Sequence, residues 1–124
     1  MRLLADTHTL LWWLAEDARL STRAQELLHD ERHELLFSAA VAWEISIKCA
    51  LGKIRVRERY AELLIDEGAT PLPVTHEHAM SAGALPLYHR DPFDRMLVAQ
   101  AQAEDAVLLA ADAAFAPYDV RVLW

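Results

Sequence analysis

Short apolar runs alternate with amphipathic stretches along the whole chain, and each switch is marked by a capping residue or a turn former. Leu3-Leu4-Ala5 is the first run and reads as a buried strand. Thr7 to Ala15 follows as a helix, with Leu10, Leu11 and Leu14 on one stripe. Ser21 caps a second helix over Thr22 to Leu28. Leu35-Leu36-Phe37 is a second strand, after which Ser38 caps a helix running to about Leu51, where Gly52 stops it. Glu58 to Glu67 forms another helix, ended by Gly68. Thr70 to Val74 is a strand that Pro71 and Pro73 confine to a sheet edge. Thr75 caps a helix to about Ala82, and Asp91-Pro92 starts one that runs to Glu104. Ala106 to Leu109 and Val120 to Leu123 are the last strands.

Strands that alternate with helices predict a short, mostly parallel sheet covered by helices on both faces, an α/β domain in three α/β/α layers. The 124 residues suit one domain spanning 1–124, and no repeat or linker interrupts them. Apolar residues make up 54% of the chain, ample for one core and against a disordered chain. The uncharged stretches Thr7–Ala15 and Leu35–Trp43 are too short to span a bilayer. Asp6 breaks any apolar core of a signal peptide, so a cytoplasmic, membrane-free protein is expected. Cys49 is the single cysteine, which excludes an internal disulfide and agrees with that setting.

Charge then singles out four positions. Asp6, Glu44, Asp94 and Asp112 each sit against an apolar segment, where an isolated carboxylate is costly unless it is paired or binds a metal. In open sheets of this kind ligands bind beyond the carboxyl ends of the strands. Asp6 and Asp112 fall at such ends, and Glu44 and Asp94 fall in helices that can pack nearby. Four converging acids need a cation to offset their repulsion, and hard oxygen donors favour Mg²⁺ or Mn²⁺. Each acid also has a modest structural explanation. Asp6 can cap the helix from Thr7, and Asp112 the turn Ala113-Ala114-Phe115. Glu44 can pair with Lys48 one turn on, and Asp94 can complement a helix N-terminus that Asp91 caps.

With 19 acidic against 12 basic residues the net charge is −7, which disfavours nonspecific nucleic-acid binding by the whole surface. Lys48, Lys53, Arg55, Arg57 and Arg59 nevertheless form a local basic run. Beside an acidic, metal-masked cleft such a run can hold a phosphate backbone; the other reading is a solvated helix end and loop. His76 and His78, two apart on a predicted helix, make a poor metal pair and read as surface residues. His8 adjoins Asp6 and can line its pocket, whereas His89 has no assigned role. Trp12 and Trp13 cannot both face one core, so one is expected to meet a partner.

Three segments carry a resemblance. They are Leu3 to Trp13, Ser38 to Lys48 with Leu51-Gly52-Lys53, and His89 to Ala101 leading to Leu108-Leu109-Ala110-Ala111-Asp112. In this order and spacing the chain resembles the PIN-domain ribonucleases, specifically the VapC toxins of type II toxin–antitoxin modules. The resemblance implies that Asp6, Glu44, Asp94 and Asp112 hold Mg²⁺ or Mn²⁺ and cleave RNA phosphodiester bonds by metal-activated water. It makes Thr7, Asp91 and Arg95 accessory: Thr7 to orient Asp6 or the substrate, Arg95 to meet a phosphate or a neighbouring acid. It also implies a homodimer and a cognate VapB-like antitoxin that blocks the acidic site. One departure stands out. The family often carries Thr or Ser before the fourth acid, where this chain has Ala110 and Ala111.

Three other readings remain open on sequence. A haloacid-dehalogenase-like phosphotransferase needs a second acid two residues beyond Asp6, where His8 stands. A non-catalytic binding module on the same fold is another, and an antitoxin-independent RNA-processing PIN nuclease the third.

Overall fold

The structure, a computed structural model, describes residues 1–124. Its elements follow the predicted order: β1 (Arg2–Ala5), α1 (Thr7–Leu14), α2 (Thr22–His29), β2 (Glu34–Ser38), α3 (Ala39–Ala50) and α4 (Tyr60–Asp66). Then come β3 (Thr70–Leu72), α5 (His76–Ala84), α6 (Pro92–Ala103), β4 (Val107–Leu109), a short 3-10 turn (Ala113–Phe115) and β5 (Val122–Leu123). The five strands form one sheet in the order β3-β2-β1-β4-β5, and every pairing is parallel. β3, with its prolines, is at an edge as its composition requires.

β1 is the central strand, with Leu4 in register with Leu36 of β2 on one side and Leu108 of β4 on the other. Leu3, Leu4 and Ala5 are all fully buried, which is why β1 reads as an unbroken apolar run. The chain steps outward from β1 to β3, then crosses back to start again on the other flank of β1 with β4. α1 packs on α3, and α3 packs in turn on α6, which also packs on α5. The strand order reverses between β1 and β4, and their carboxyl ends form the crevice where such sheets bind ligands.

Turn chemistry ends several helices. After α3, Lys53 N–H donates to Lys48 O and Gly52 N–H to Cys49 O, with Gly52 at φ 72°. This pair of bonds closes the helix and swings Lys53 back beside Lys48. α1 and α6 end the same way on Glu16 and Asp105, both at positive φ without being glycine.

One polar chain runs through the interior. Ser38 Oγ, which caps α3, donates to Gln100 Oε1 at 2.5 Å, and the Gln100 amide nitrogen lies 3.3 Å from His78 Nδ1. His78 is buried, which corrects its reading as a surface residue. Thr75 N–H donates to His78 Nδ1, so the ring proton sits on Nε2, facing Glu104 at 3.2 Å. The side chain is drawn inward because this capping position gives both ring nitrogens a partner.

Candidate metal centre at the sheet switch point

Asp6 is the residue after β1 and the N-cap of α1. Its Oδ1 accepts from Thr9 N–H at 2.9 Å and lies 2.6 Å from Thr9 Oγ1. Its own N–H donates to Leu109 O, locking the end of β1 to the end of β4. Thr9 Oγ1 is also 2.9 Å from Leu109 O, so Thr9 braces the carboxylate against both strands. Asp6 is 4% exposed. That burial pushes its carboxyl above the usual range; the Thr9 bonds and His8 oppose the shift, and the negative charge of Asp112 adds to it.

Asp94 lies in the first turn of α6, behind Asp91, which caps the helix through Phe93 N–H and Asp94 N–H. Asp94 Oδ2 is 2.8 Å from His89 Nε2. Its carboxyl is pushed up to about 6, by burial first and then by Asp91 and Asp6, with His89 opposing. Asp112 is exposed, and its Oδ1 accepts from Ala114 N–H at 2.9 Å. A backbone amide of the 3-10 turn therefore orders it where Ala110 and Ala111 provide no hydroxyl. Glu44, in α3, is buried, with Oε1 accepting from Thr7 Oγ1 at 2.5 Å and Oε2 2.9 Å from Lys48 Nζ.

At the mouth between β1 and β4 Asp6 thus feels the charge of Asp112, and Asp94 feels that of Asp6, while Glu44 is held by Thr7, the chain neighbour of Asp6. The structural roles expected for these acids are also realised: caps hold one oxygen of Asp6 and of Asp112, His89 holds one of Asp94, and Thr7 and Lys48 hold both of Glu44. For Asp6, Asp94 and Asp112 the second oxygen has no protein donor. Hard oxygens with a free member on each suit a divalent cation, although it is His89, Asp91 and Asp94, and not this trio, whose donor atoms all lie within 4.8 Å of one another.

Two placements differ from the sequence reading. Thr7 orients Glu44, and it is Thr9 that orients Asp6. Arg95 makes no ion pair: its guanidinium donates to the carbonyls of Ala82, Leu85 and Pro86. It is occupied because α6 packs on α5, which brings the carbonyls at the end of α5 and in the following loop within its reach. Two residues were missed. Thr9 could have been found as a hydroxyl three residues past an N-cap. His89 pairs with Asp94, and with Asp91 these groups offer donor atoms within 4.8 Å of one another. The spacing of His89 from Asp94 crosses a loop, so nothing in the sequence periodicity showed it. His8 is exposed and stacks on Trp12 at 5.7 Å. Trp12 and Trp13 are both half-buried, Trp12 against Trp124 and Trp13 against His29, which leaves Trp43 as the most exposed tryptophan.

The raised carboxyls imply a pH signature. A group with a raised folded pKa stabilises the fold below its unfolded value near 3.8, and that contribution is lost as pH climbs to about 6. Metal-free protein is therefore expected to lose stability across this interval. Millimolar Mg²⁺ or Mn²⁺ should raise the melting temperature more at pH 7 than at pH 5, and Asp94→Asn should shrink the difference. Thermal melts at both pH values, with and without cation, check this; an equal shift at both would count against a site at Asp94.

A cavity of about 750 Å³ lies elsewhere, among Trp13, Leu28, His33, Leu35, Leu64 and Ala69. A smaller pocket of about 450 Å³ borders Glu44 and Asp91. No helix is long and apolar enough to cross a membrane.

Comparison with known proteins bears on the family and the fold. A family model described as the PIN domain matches residues 3–120. Ribonuclease VapC16 of Mycobacterium tuberculosis is 44% identical over 69 residues, covering 52% of this chain and 48% of that protein, so the match spans about half of the relative's length. VapBC2 from Rickettsia felis, solved bound to a DNA fragment from its promoter, superimposes with a TM-score of 0.72 at 14% identity over 99% of this chain and 98% of that one. A toxin–antitoxin complex from Klebsiella pneumoniae does so with a TM-score of 0.68 at 17% identity, over 98% and 96%.

Proposed function

The chain belongs to the PIN-domain family, and on that premise we propose that it is a divalent-metal-dependent endoribonuclease acting as the toxin of a type II toxin–antitoxin module. The observation that carries the reading is the trio Asp6, Asp94 and Asp112 at the switch point, each with one oxygen held by the protein and one free. These three would hold Mg²⁺ or Mn²⁺, with Glu44 adding its charge. A cation held there supplies Lewis-acid stabilisation of a phosphodiester and a lowered pKa for water.

The chain's own side chains prepare that site. Thr9 fixes which oxygen of Asp6 faces the crevice. His89 does the same for Asp94, and Ala114 N–H for Asp112. Thr7 and Lys48 hold Glu44 from its two sides, so that its charge stays put without a cation. Pre-set ligands lose little freedom when a substrate arrives, which favours the transition state.

The name of the VapC16 relative supports RNA as substrate, and the toxin–antitoxin complexes among the structural relatives support a small VapB-like antitoxin as partner. A homodimer and a cytoplasmic setting complete the proposal. The test is incubation of antitoxin-free protein with total cellular RNA in Mg²⁺, in Mn²⁺ and in EDTA. Discrete fragments that vanish with EDTA are expected. Folded protein that cuts nothing in either metal would transfer the reading to a non-catalytic binding module.

A further inference from the structure

A pocket of about 450 Å³ lies between α3 and the start of α6, sharing Glu44 and Asp91 with the acidic crevice. Its other polar lining residues are basic: Lys48, Lys53 and Arg90. Lys48 is committed to Glu44 at 2.9 Å. Lys53 and Arg90 are exposed and form no ion pair, although the chain as a whole carries a net charge of −7. Both cations are thus free to meet an anionic ligand at the edge of the carboxylate cluster.

Their backbones are nonetheless well held. The turn at Gly52 returns Lys53 to the end of α3. Arg90 sits between His89, whose N–H donates to Tyr118 Oη, and the helix cap Asp91. Aromatic surface adjoins the basic pair. Phe93 lines the pocket, and Trp43 packs edge-on against it with ring centroids 5.1 Å apart. Trp43 is 65% exposed, an unusual exposure for a tryptophan held by only one ring contact.

We propose that this pocket is a subsite for one nucleotide of single-stranded RNA, with Lys53 and Arg90 holding its phosphates and the Trp43–Phe93 pair meeting its base. The proposal rests on the endoribonuclease reading and names how that crevice holds its substrate. Phosphate contacts supply affinity without sequence information, and an aromatic face stacks on any unpaired base. A duplex hides its base faces, so the aromatic half of the pocket selects against it. The same pocket borders Glu44, which puts the bound phosphate next to the acids.

The test uses the full chain carrying Asp6→Asn, in Mg²⁺, and a short fluorescein-labelled single-stranded RNA read by anisotropy across a KCl series. Adding Lys53→Ala with Arg90→Ala should weaken binding about tenfold and shallow the slope of log affinity against log salt by about 1.4, two contacts at about 0.7 each. Adding Trp43→Ala should weaken binding about tenfold with the slope unchanged. Circular dichroism and the Mn²⁺-induced melting shift of each substitution in the wild-type background report whether fold and acidic crevice are intact. Unchanged affinity and slope in the double variant overturn the phosphate assignment. A Trp43→Ala protein that changes oligomeric state but not RNA affinity overturns the base assignment and makes Trp43 a contact between copies. Wild-type protein that cuts RNA while these variants bind normally sinks the subsite alone. Wild-type protein that neither binds nor cuts RNA sinks the endoribonuclease reading with it.

Discussion

Asp6→Asn is expected to lower RNA cleavage by about 10³-fold, the loss of about 4 kcal/mol of charge-dependent stabilisation at the reacting phosphate. The substitution keeps an oxygen for Thr9 N–H and Thr9 Oγ1, so the cap of α1 and the brace to Leu109 survive. It removes only the charge. That charge is unfavourable in the metal-free fold, because burial and Asp112 both push the Asp6 carboxyl upward. The variant should therefore melt at or above the wild-type temperature in EDTA and below it in Mg²⁺, where wild type gains a bound cation. Initial cleavage rates together with melts in both conditions check it. Loss of activity with a raised metal-free melting temperature separates a ligand from a structural cap. Near wild-type activity would remove Asp6 from the site.

Arg95→Ala is expected to cost about 3 kcal/mol of stability, because it strips a charged donor from several carbonyls at once. Arg95 Nη2 reaches Ala82 O at 2.8 Å and Leu85 O at 3.1 Å, and Nη1 reaches Pro86 O at 3.0 Å. His89 O and Tyr118 Oη lie 3.4 Å away. The guanidinium thus ties the segment from α5 to the loop that delivers His89 and Asp91. Freed of it, His89 should hold Asp94 less firmly, and cleavage should fall by about 10- to 100-fold, as when the partner of a metal ligand is removed. Arg95→Lys should recover only part of either loss, since one ammonium cannot span three carbonyls in a fork. Urea denaturation and cleavage at saturating Mg²⁺ measure the two effects. Full stability in Arg95→Ala would show that the segment is held by its own backbone bonds.

These two residues mark different depths of legibility in the chain. Asp6 is visible from sequence because a charge directly after Leu3-Leu4-Ala5 violates a local rule. Arg95 is misleading for the opposite reason. An arginine in the turn after an acid looks available to a phosphate, and only the path of the 82–89 loop shows that its donors are taken. Glu44 shows both sides. Its pairing with Lys48 follows from helical spacing, whereas its bond to Thr7 joins positions 37 residues apart.

What the sequence by itself determined is the part governed by local chemistry. The periods of 2 and 3.6, the caps at Ser21, Ser38, Thr75 and Asp91, and the stops at Gly52 and Gly68 each depend on residues within a turn of one another. So does the parallel character of the sheet, since strands buried on both faces read as continuous apolar runs. What only the tertiary structure decided depends on which distant segments become neighbours. The reversal of strand order between β1 and β4 sets Asp6 beside Asp112. The return of the loop before α6 sets His89 on Asp94 and leaves Arg90 and Lys53 across one pocket. His78 turned inward because Gln100 and Glu104, more than 20 residues away, satisfy its ring. Hydrogen bonds and charge pairs act over a few ångströms in space and carry no preference in sequence separation, so no periodicity along the chain could have encoded them.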